Sequence, residues 1–136
     1  CTLWYRSPEQ LFGARAYGRG VDVWSIGCLV GEMLRRRPLF SGHTELDQLT
    51  QIFTLLGTPT EESWPDSRTL PSFVEFTHHP AVPQADWPGM PAWGTQVDLG
   101  QMLVGDPRKR VEAAELEKVF AARACSRTQL AKKLDL

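Results

Sequence analysis

The histidines and cysteines are the first side chains to test for catalytic or metal-binding chemistry in this 136-residue chain. His78 and His79 are adjacent and could ligate a metal, but no cysteine or carboxylate stands at the spacing of a zinc site. An exposed pair of loop histidines is therefore the favoured interpretation. The cysteines at positions 1, 28 and 125 have neither paired nor metal-ligand spacing. Cys28 lies in an apolar run, which predicts a small buried side chain. No metal site is predicted.

Two short segments carry more information than any single residue. Residues 4–9 read Trp-Tyr-Arg-Ser-Pro-Glu, and residues 22–28 read Asp-Val-Trp-Ser-Ile-Gly-Cys. The first resembles the W-Y-R-A-P-E form of the A-P-E motif of eukaryotic Ser/Thr protein kinases, with Ser7 in place of alanine. The second resembles the D-x-W-S-x-G that opens a long buried helix in the lower lobe of the same family. The two motifs at this spacing form a very specific signature.

The resemblance covers nearly all of residues 1–120 and is strongest to the cyclin-dependent kinase-like group. Within that group the chain is most similar to the branch that activates other cyclin-dependent kinases. The segments that carry the likeness are residues 12–15, 18–25, 38–42, 46–50 and 52–65. The resemblance implies an intact enzyme that transfers the γ-phosphate of ATP to Ser or Thr in protein substrates. It also implies a cyclin-type regulatory subunit as a partner.

Three residues near the start of the chain match substrate-binding positions of this family. Thr2 matches the threonine beside the catalytic aspartate, while Tyr5 and Arg6 match the loop that contacts the residue after the phosphoacceptor. In this kinase group the arginine helps to form a pocket that accepts proline. Because proline has no N–H, a loop that offers it no acceptor leaves no donor unpaired. Without the motif, Arg6 would be interpreted as part of an ordinary surface ion pair.

Four further residues match structural positions. The resemblance implies that Glu9 and Arg110 form a buried ion pair that ties the activation segment to the lower lobe. Asp22, in the first turn of an apolar helix, is either a helix cap or a buried carboxylate that needs nearby donors. In kinases the matching aspartate anchors the catalytic loop, so a structural role is expected for Asp22 and for the neighbouring Trp24.

The parts of a kinase that perform the chemistry are absent from this sequence. It contains no G-x-G-x-x-G, V-A-I-K, H-R-D or D-F-G motif. No catalytic residue is therefore predicted here, ATP and Mg²⁺ are expected to bind residues outside this chain, and the fragment alone is expected to be inactive. The alternative interpretation is a catalytically inactive pseudokinase or a truncated module that docks partners. A small regulatory subunit could dock at the proline-rich insert.

Composition argues against several other classes of protein. Fifteen basic and sixteen acidic side chains give a net charge of -1, which provides no electrostatic case for nucleic acid or a membrane surface. The one basic cluster is the arginine run at 35–37, interpreted as a solvated helix end, with a docking patch for an acidic partner as the alternative. Unpaired cysteines and the lack of a visible leader favour an intracellular location, in the nucleus or cytoplasm.

Helices should position the motif residues. Short helical segments are predicted at 8–12, 61–64 and 97–104, a buried helix at 21–34, an amphipathic helix at 45–56, and another helix at 111–120. Seven of the ten prolines lie between residues 59 and 91, which predicts an irregular but packed insert. The expected fold is mainly α: the helical C-terminal lobe of the protein kinase fold, partial, over residues 1–120. Residues 121–136 are expected to form a tail with a short helix capped by Ser126 and Gln129.

Overall fold

The computed structural model describes residues 2–118 and 120. Within these residues the chain forms the α-helices α1 (Pro8–Leu11), α2 (Gly20–Arg35) and α3 (Glu45–Leu56), and residues 113–118 are also α-helical. Short 3₁₀ turns occupy Thr2–Tyr5, Ser67–Thr69, Gln84–Asp86, Ala92–Gln96, Leu99–Gln101 and Pro107–Lys109. No β-strand occurs within the described ranges. The prediction of a mainly α fold is confirmed.

Helix α3 follows the sequence prediction at both ends. The Thr44 hydroxyl oxygen accepts a hydrogen bond from the Asp47 backbone N–H at 3.1 Å, as an N-cap residue does. Gly57 ends the helix with φ 92°, and its N–H donates to the Phe53 carbonyl. This backbone conformation favours glycine because it lacks a Cβ. The buried face of the helix consists of Gln48, Leu49, Ile52 and Phe53.

Helix α2 packs against the turns Thr2–Tyr5, Leu99–Gln101 and Pro107–Lys109 and buries one face. The buried positions are Val23, Trp24, Gly27, Cys28 and Gly31. A Cβ added to Gly27 would lie 2.9 Å from side-chain atoms of Met102 and Leu103, so close approach of the helix to that segment requires glycine. The prediction of burial on every side is wrong, because Leu29 and Met33 are 48% and 69% exposed.

An aromatic cluster ties the proline-rich insert to the helices. The Phe12 ring lies 5.2 Å from that of Phe73 and 5.9 Å from those of Phe53 and Trp64, measured between centroids. Such pairs add about 0.5–1.5 kcal/mol each beyond the burial of their area. The insert is therefore both irregular and packed, as predicted.

Two short helices expected from the sequence do not form. Residues 61–63 make a turn instead, in which the Trp64 N–H donates to the Thr60 carbonyl at 2.9 Å. Residues 97–104 contain only the 3₁₀ turn Leu99–Gln101. There the Gln84 side chain accepts from the Leu99 N–H at 2.9 Å and donates to the Val97 carbonyl at 2.5 Å. These bonds satisfy backbone groups that a helix would otherwise pair locally.

The last described helix buries some of its apolar side chains and exposes others. Leu116 is buried in the core, whereas Ala113 and Phe120 are exposed. The helix contributes one apolar contact to the core rather than a continuous face. Val119 and the predicted tail helix with its Ser126–Gln129 cap lie outside the described residues.

Burial of Cys28 predicts a protected thiol. Desolvation raises the pKa of this thiol from 9.0 to about 12. Stability from keeping the thiol protonated is therefore complete below about pH 9 and is lost as the pH rises through 12. In a variant with Cys1→Ser and Cys125→Ser, we expect Cys28 to react with Ellman's reagent only after unfolding in guanidinium. Reaction of the folded variant at the rate of free cysteine would contradict this expectation.

Candidate functional site

Glu9 and Arg110 form a buried, fully hydrogen-bonded ion pair. The two side chains form a bidentate pair, Nη1 to Oε1 and Nη2 to Oε2, both at 2.7 Å, and they are 5% and 1% exposed. Arg110 also donates to the carbonyls of Val104, Gly20 and Gly105 at 2.8, 2.9 and 3.1 Å. All five guanidinium N–H donors are thus satisfied.

The ion pair joins segments that are far apart in the sequence. Glu9 lies on α1, Gly20 begins α2, and Arg110 follows the turn Pro107–Lys109. Burying two charges is favourable only when geometry and hydrogen bonding are nearly complete, as they are here. The pairing expected from the resemblance is present, and it fixes α1 to the start of α2.

Trp24 covers the ion pair. Its side chain is fully buried, the Arg110 guanidinium carbon lies 5.1 Å from its ring centroid, and its ring stacks on Phe40 at 6.1 Å. Its indole Nε1 has no hydrogen-bond partner within the described ranges. The ring therefore shields the pair from water and gains a cation–π contact, while one donor is left unpaired.

The 3₁₀ turn Thr2–Tyr5 is attached to the helical body by a buried glutamine. Gln48 on α3 accepts from the Gly42 N–H at 2.7 Å and donates to the Trp4 carbonyl at 3.1 Å. The Trp4 indole donates to the Gly42 carbonyl at 3.1 Å. These three bonds close a ring between the turn, the α2–α3 loop and α3, so the turn has a defined position.

Helix α2 positions Tyr5 through two side chains. The Tyr5 hydroxyl donates to Glu32 Oε2, and the Ser25 hydroxyl donates to the Tyr5 carbonyl at 3.0 Å. The hydrogen bond to Glu32 raises the pKa of the Tyr5 phenol, and desolvation raises it to a smaller extent. Tyr5 thus stays protonated and donating throughout the physiological pH range.

Arg6 is the exposed charge beside this fixed turn. Its guanidinium lies 3.7 Å from Glu45 Oε1 at the start of α3, and the two side chains are 46% and 63% exposed. An ion pair of this length and exposure contributes little to stability. The Arg6 guanidinium is therefore accessible from solvent.

Two other residues singled out by the sequence are not brought into this arrangement. Asp22 is exposed, because Val23 and Trp24 take the buried face of the first turn of α2 and Asp22 points away from it. Its anchoring role stays a prediction. Thr2 begins the turn Thr2–Tyr5, but its side chain lies outside what the structure describes.

Sequence reasoning missed Gln48, Ser25 and Glu32. Gln48 occupies a buried position on the apolar face of α3, and a polar residue within a hydrophobic period was the available signal. Glu32 lies among apolar residues of α2 and carried a similar signal. Ser25 belongs to the D-x-W-S-x-G match, but its partner, a backbone carbonyl, leaves no trace in the sequence.

Metal-binding and membrane-spanning features are absent from the described residues. No group of three or more His, Cys, Asp or Glu side chains in residues 2–118 and 120 is arranged to hold a metal ion. Within the same ranges, no helix combines the length and the apolar character that crossing a membrane requires.

Comparison with known proteins gives consistent matches. Residues 1–120 match the family model of the protein kinase domain. The chain is 57% identical over 82 residues to cyclin-dependent kinase 7 of Xenopus laevis, covering 60% of this chain and 23% of the relative. It is 44% identical over 115 residues to cyclin-dependent kinase 7 of Dictyostelium discoideum, covering 84% and 32% respectively.

A third relative is the serine/threonine-protein kinase ppk23 of Schizosaccharomyces pombe. The identity is 48% over 120 residues, which cover 84% of this chain and 29% of the relative. The chain therefore spans between about a quarter and a third of the length of these three relatives.

Proposed function

The chain belongs to the protein kinase domain family, and from this premise we propose that it supplies the substrate-binding segment and helical scaffold of a Ser/Thr protein kinase. Its likeness to cyclin-dependent kinases supports assignment to that group. The intact enzyme would transfer the γ-phosphate of ATP to Ser or Thr in protein substrates. Kinase catalysis is mostly positioning and charge stabilisation, so a rigid substrate platform is a functional part of it.

The observation that carries this proposal is the buried Glu9–Arg110 pair. It holds the end of the segment that contains Tyr5 and Arg6 against α2, with both charges fully hydrogen-bonded. The Gln48 bonds fix the other end of the segment on α3. A peptide that contacted this segment would therefore meet a surface that needs little reorganisation on binding.

We further propose that the substrate residue after the phosphoacceptor is proline. Support comes from the placement of Arg6, whose exposed guanidinium adjoins the turn that Tyr5 anchors. A loop of this kind leaves no amide donor unpaired when proline occupies the position. Any other residue would bring an N–H that must lose its water without gaining an acceptor.

Arg6→Ala tests the preference for proline. In the intact kinase that we propose contains this chain, the ratio of kcat/KM for a Ser-Pro peptide over a Ser-Ala peptide should fall about tenfold. The measurement is initial rate of phosphate transfer from labelled ATP to the two peptides. Arg15→Ala is the matched control, because Arg15 is an exposed arginine on the α1–α2 loop and forms no ion pair in the described part of the chain.

The outcome also separates the two functions under consideration. An unchanged peptide ratio in Arg6→Ala would contradict proline selection by this residue, even if the enzyme is active. Absence of phosphate transfer to either peptide, together with retained binding of a cyclin-type subunit, would favour the inactive partner-docking module.

ATP and Mg²⁺ do not fit the residues of this chain. It has no glycine-rich phosphate loop, and its described part gathers no carboxylate cluster of the kind that holds a divalent cation. We propose that both bind elsewhere in the intact enzyme and that the chain alone is inactive. No catalytic step is assigned to the residues present here.

The proposed partners are protein substrates, a cyclin-type regulatory subunit and a small docking subunit at the insert. Support for the docking subunit comes from an apolar surface patch, in which Leu46 and Val74 are 54% and 48% exposed. The patch lies beside a cavity of about 290 Å³. Exposed apolar patches of this kind favour protein contacts. We propose that the intact kinase resides in the nucleus or cytoplasm, on the support of an odd number of cysteines without disulfide spacing in this sequence.

A further inference from the structure

A cavity beside the end of α2 takes no part in the proposed substrate site. Its volume is about 240 Å³, and Arg35 forms one side of it. The cavity is also lined by Leu39, Phe40, Thr50, Thr54, Leu55 and Pro88. The volume is below the range of about 300–1,000 Å³ that is typical of small-molecule pockets. It suits a single apolar side chain better than a metabolite.

Arg35 is fixed at the edge of this cavity. Its Nε donates to the Pro88 carbonyl at 2.6 Å, and its Nη1 donates to the Leu39 carbonyl at 3.1 Å. Burial, and then the nearby charge of Arg37, lower the pKa of the Arg35 guanidinium. Arg35 is therefore part of the cavity wall rather than a freely solvated charge at a helix end.

Arg36 and Arg37 present the remaining positive charge at the surface. Both are exposed, and Arg36 has a left-handed backbone with φ 59°. The Arg37 guanidinium lies against Gly89, where an added Cβ would be 3.3 Å from its Nη2. Within the described ranges neither arginine forms an ion pair.

The carboxylates nearest in sequence do not neutralise this charge. Glu32, one helical turn before Arg36, accepts from the Tyr5 hydroxyl and is half-buried. Asp86, two residues before Pro88, forms no ion pair in the described part of the chain. Arg35 thus borders the apolar cavity, and Arg37 lies against Gly89, the neighbour of the cavity residue Pro88. In the described part of the chain no carboxylate pairs with Arg36 or Arg37.

A ligand complementary to this surface must carry both negative charge and an apolar side chain. We propose that Arg36, Arg37 and the adjoining cavity bind an acidic segment of a partner protein, with one apolar side chain of that segment seated in the cavity. Carboxylates match the bidentate geometry of arginine, and the cavity gives the segment a fixed register. This docking surface does not depend on kinase activity.

Nucleic acid fits the surface less well. Single strands bind where exposed aromatic rings stack on bases, whereas the only aromatic residue lining this cavity, Phe40, is 2% exposed. The charge alone would attract phosphates, but nothing at the cavity would hold a base. The acidic peptide is therefore the occupant that the observations favour.

The test measures binding of a fluorescein-labelled peptide with four glutamates around one leucine to the full chain by fluorescence anisotropy. The double variant Arg36→Ala/Arg37→Ala should raise its Kd about tenfold, since two charge-assisted contacts are lost. Arg15→Ala/Arg19→Ala removes the same charge from the exposed α1–α2 loop and should leave the Kd within about twofold. Arg35 is retained, and circular dichroism checks the helix content of each variant.

A third variant tests the cavity itself. Thr54 is exposed in the cavity wall. The substitution Thr54→Phe should raise the Kd of the leucine peptide. It should leave unchanged the Kd of a matched peptide with serine in place of leucine. If the two double-arginine variants raised the Kd of the peptide equally, net charge alone would explain the binding, and the proposal would be overturned. Tighter binding of a single-stranded oligonucleotide than of the acidic peptide would also overturn it.

Discussion

Replacing Glu9 by alanine is expected to lower the free energy of unfolding of this chain by about 3–5 kcal/mol. The substitution leaves the Arg110 guanidinium in an interior where it is 1% exposed. The carbonyls of Val104, Gly20 and Gly105 still accept from it, but no carboxylate balances its charge. The reason for the loss is mainly this uncompensated buried charge, rather than the value of the two lost hydrogen bonds. Urea denaturation followed by circular dichroism measures the change.

A double-mutant cycle separates pairing from general damage. Glu9→Ala, Arg110→Ala and the double variant should show strong coupling, because the double variant no longer buries an unpaired charge. The exposed pair of Glu115 and Lys118, joined at 3.0 Å with exposures of 48% and 75%, is the matched control. Its coupling should be about 0.2–0.5 kcal/mol. If Glu9→Ala melted like the unchanged chain, the ion pair would have no role in holding the segment.

Local signals in the sequence were sufficient to predict where α3 begins and ends. A threonine cap, an apolar period and a closing glycine act within a few residues, and each is present in the structure. Family motifs were sufficient to predict that Glu9 pairs with Arg110, although the two residues are 101 positions apart in the sequence. The fold class followed from these features because helices and their caps are specified locally.

The failures occur where distant contacts override local pattern. The apolar period at 97–104 resembles a helix, yet bonds from the Gln84 side chain hold its backbone as a 3₁₀ turn and loop. The composition of α2 predicted burial of every face, but burial depends on what packs against each face, and Leu29 and Met33 are exposed. One residue of rotation decides which side of a helix meets the core.

Parts of the candidate site were beyond sequence reasoning for a related reason. The turn that carries Tyr5 is fixed by the Gln48 side chain and by backbone carbonyls, and a carbonyl has no identity in the sequence. A buried glutamine signals that partners exist but not which ones. The site residues themselves were found by motif, whereas the network that positions them required the structure.

Trp24→Ala is the second change with a large expected effect, a loss of about 3–5 kcal/mol of unfolding free energy. The side chain is fully buried, stacks on Phe40 and covers the Arg110 guanidinium at 5.1 Å. Its removal creates a cavity and also admits water to the ion pair. Because Trp24 and Arg110 are in contact, combining Trp24→Ala with Glu9→Ala should cost less than the sum of the two.

Trp24→Phe distinguishes the ring from its N–H group. Phenylalanine keeps an aromatic ring in the site and removes the indole donor, which has no partner in the described ranges. Relief of that unpaired donor, about 1–3 kcal/mol, offsets part of the lost area, so this variant should be clearly more stable than Trp24→Ala. Trp93→Ala is the matched control and should change stability by less than about 0.5 kcal/mol, because Trp93 is 61% exposed. Equal losses in Trp24→Phe and Trp24→Ala would mean that the ring does not shield the ion pair.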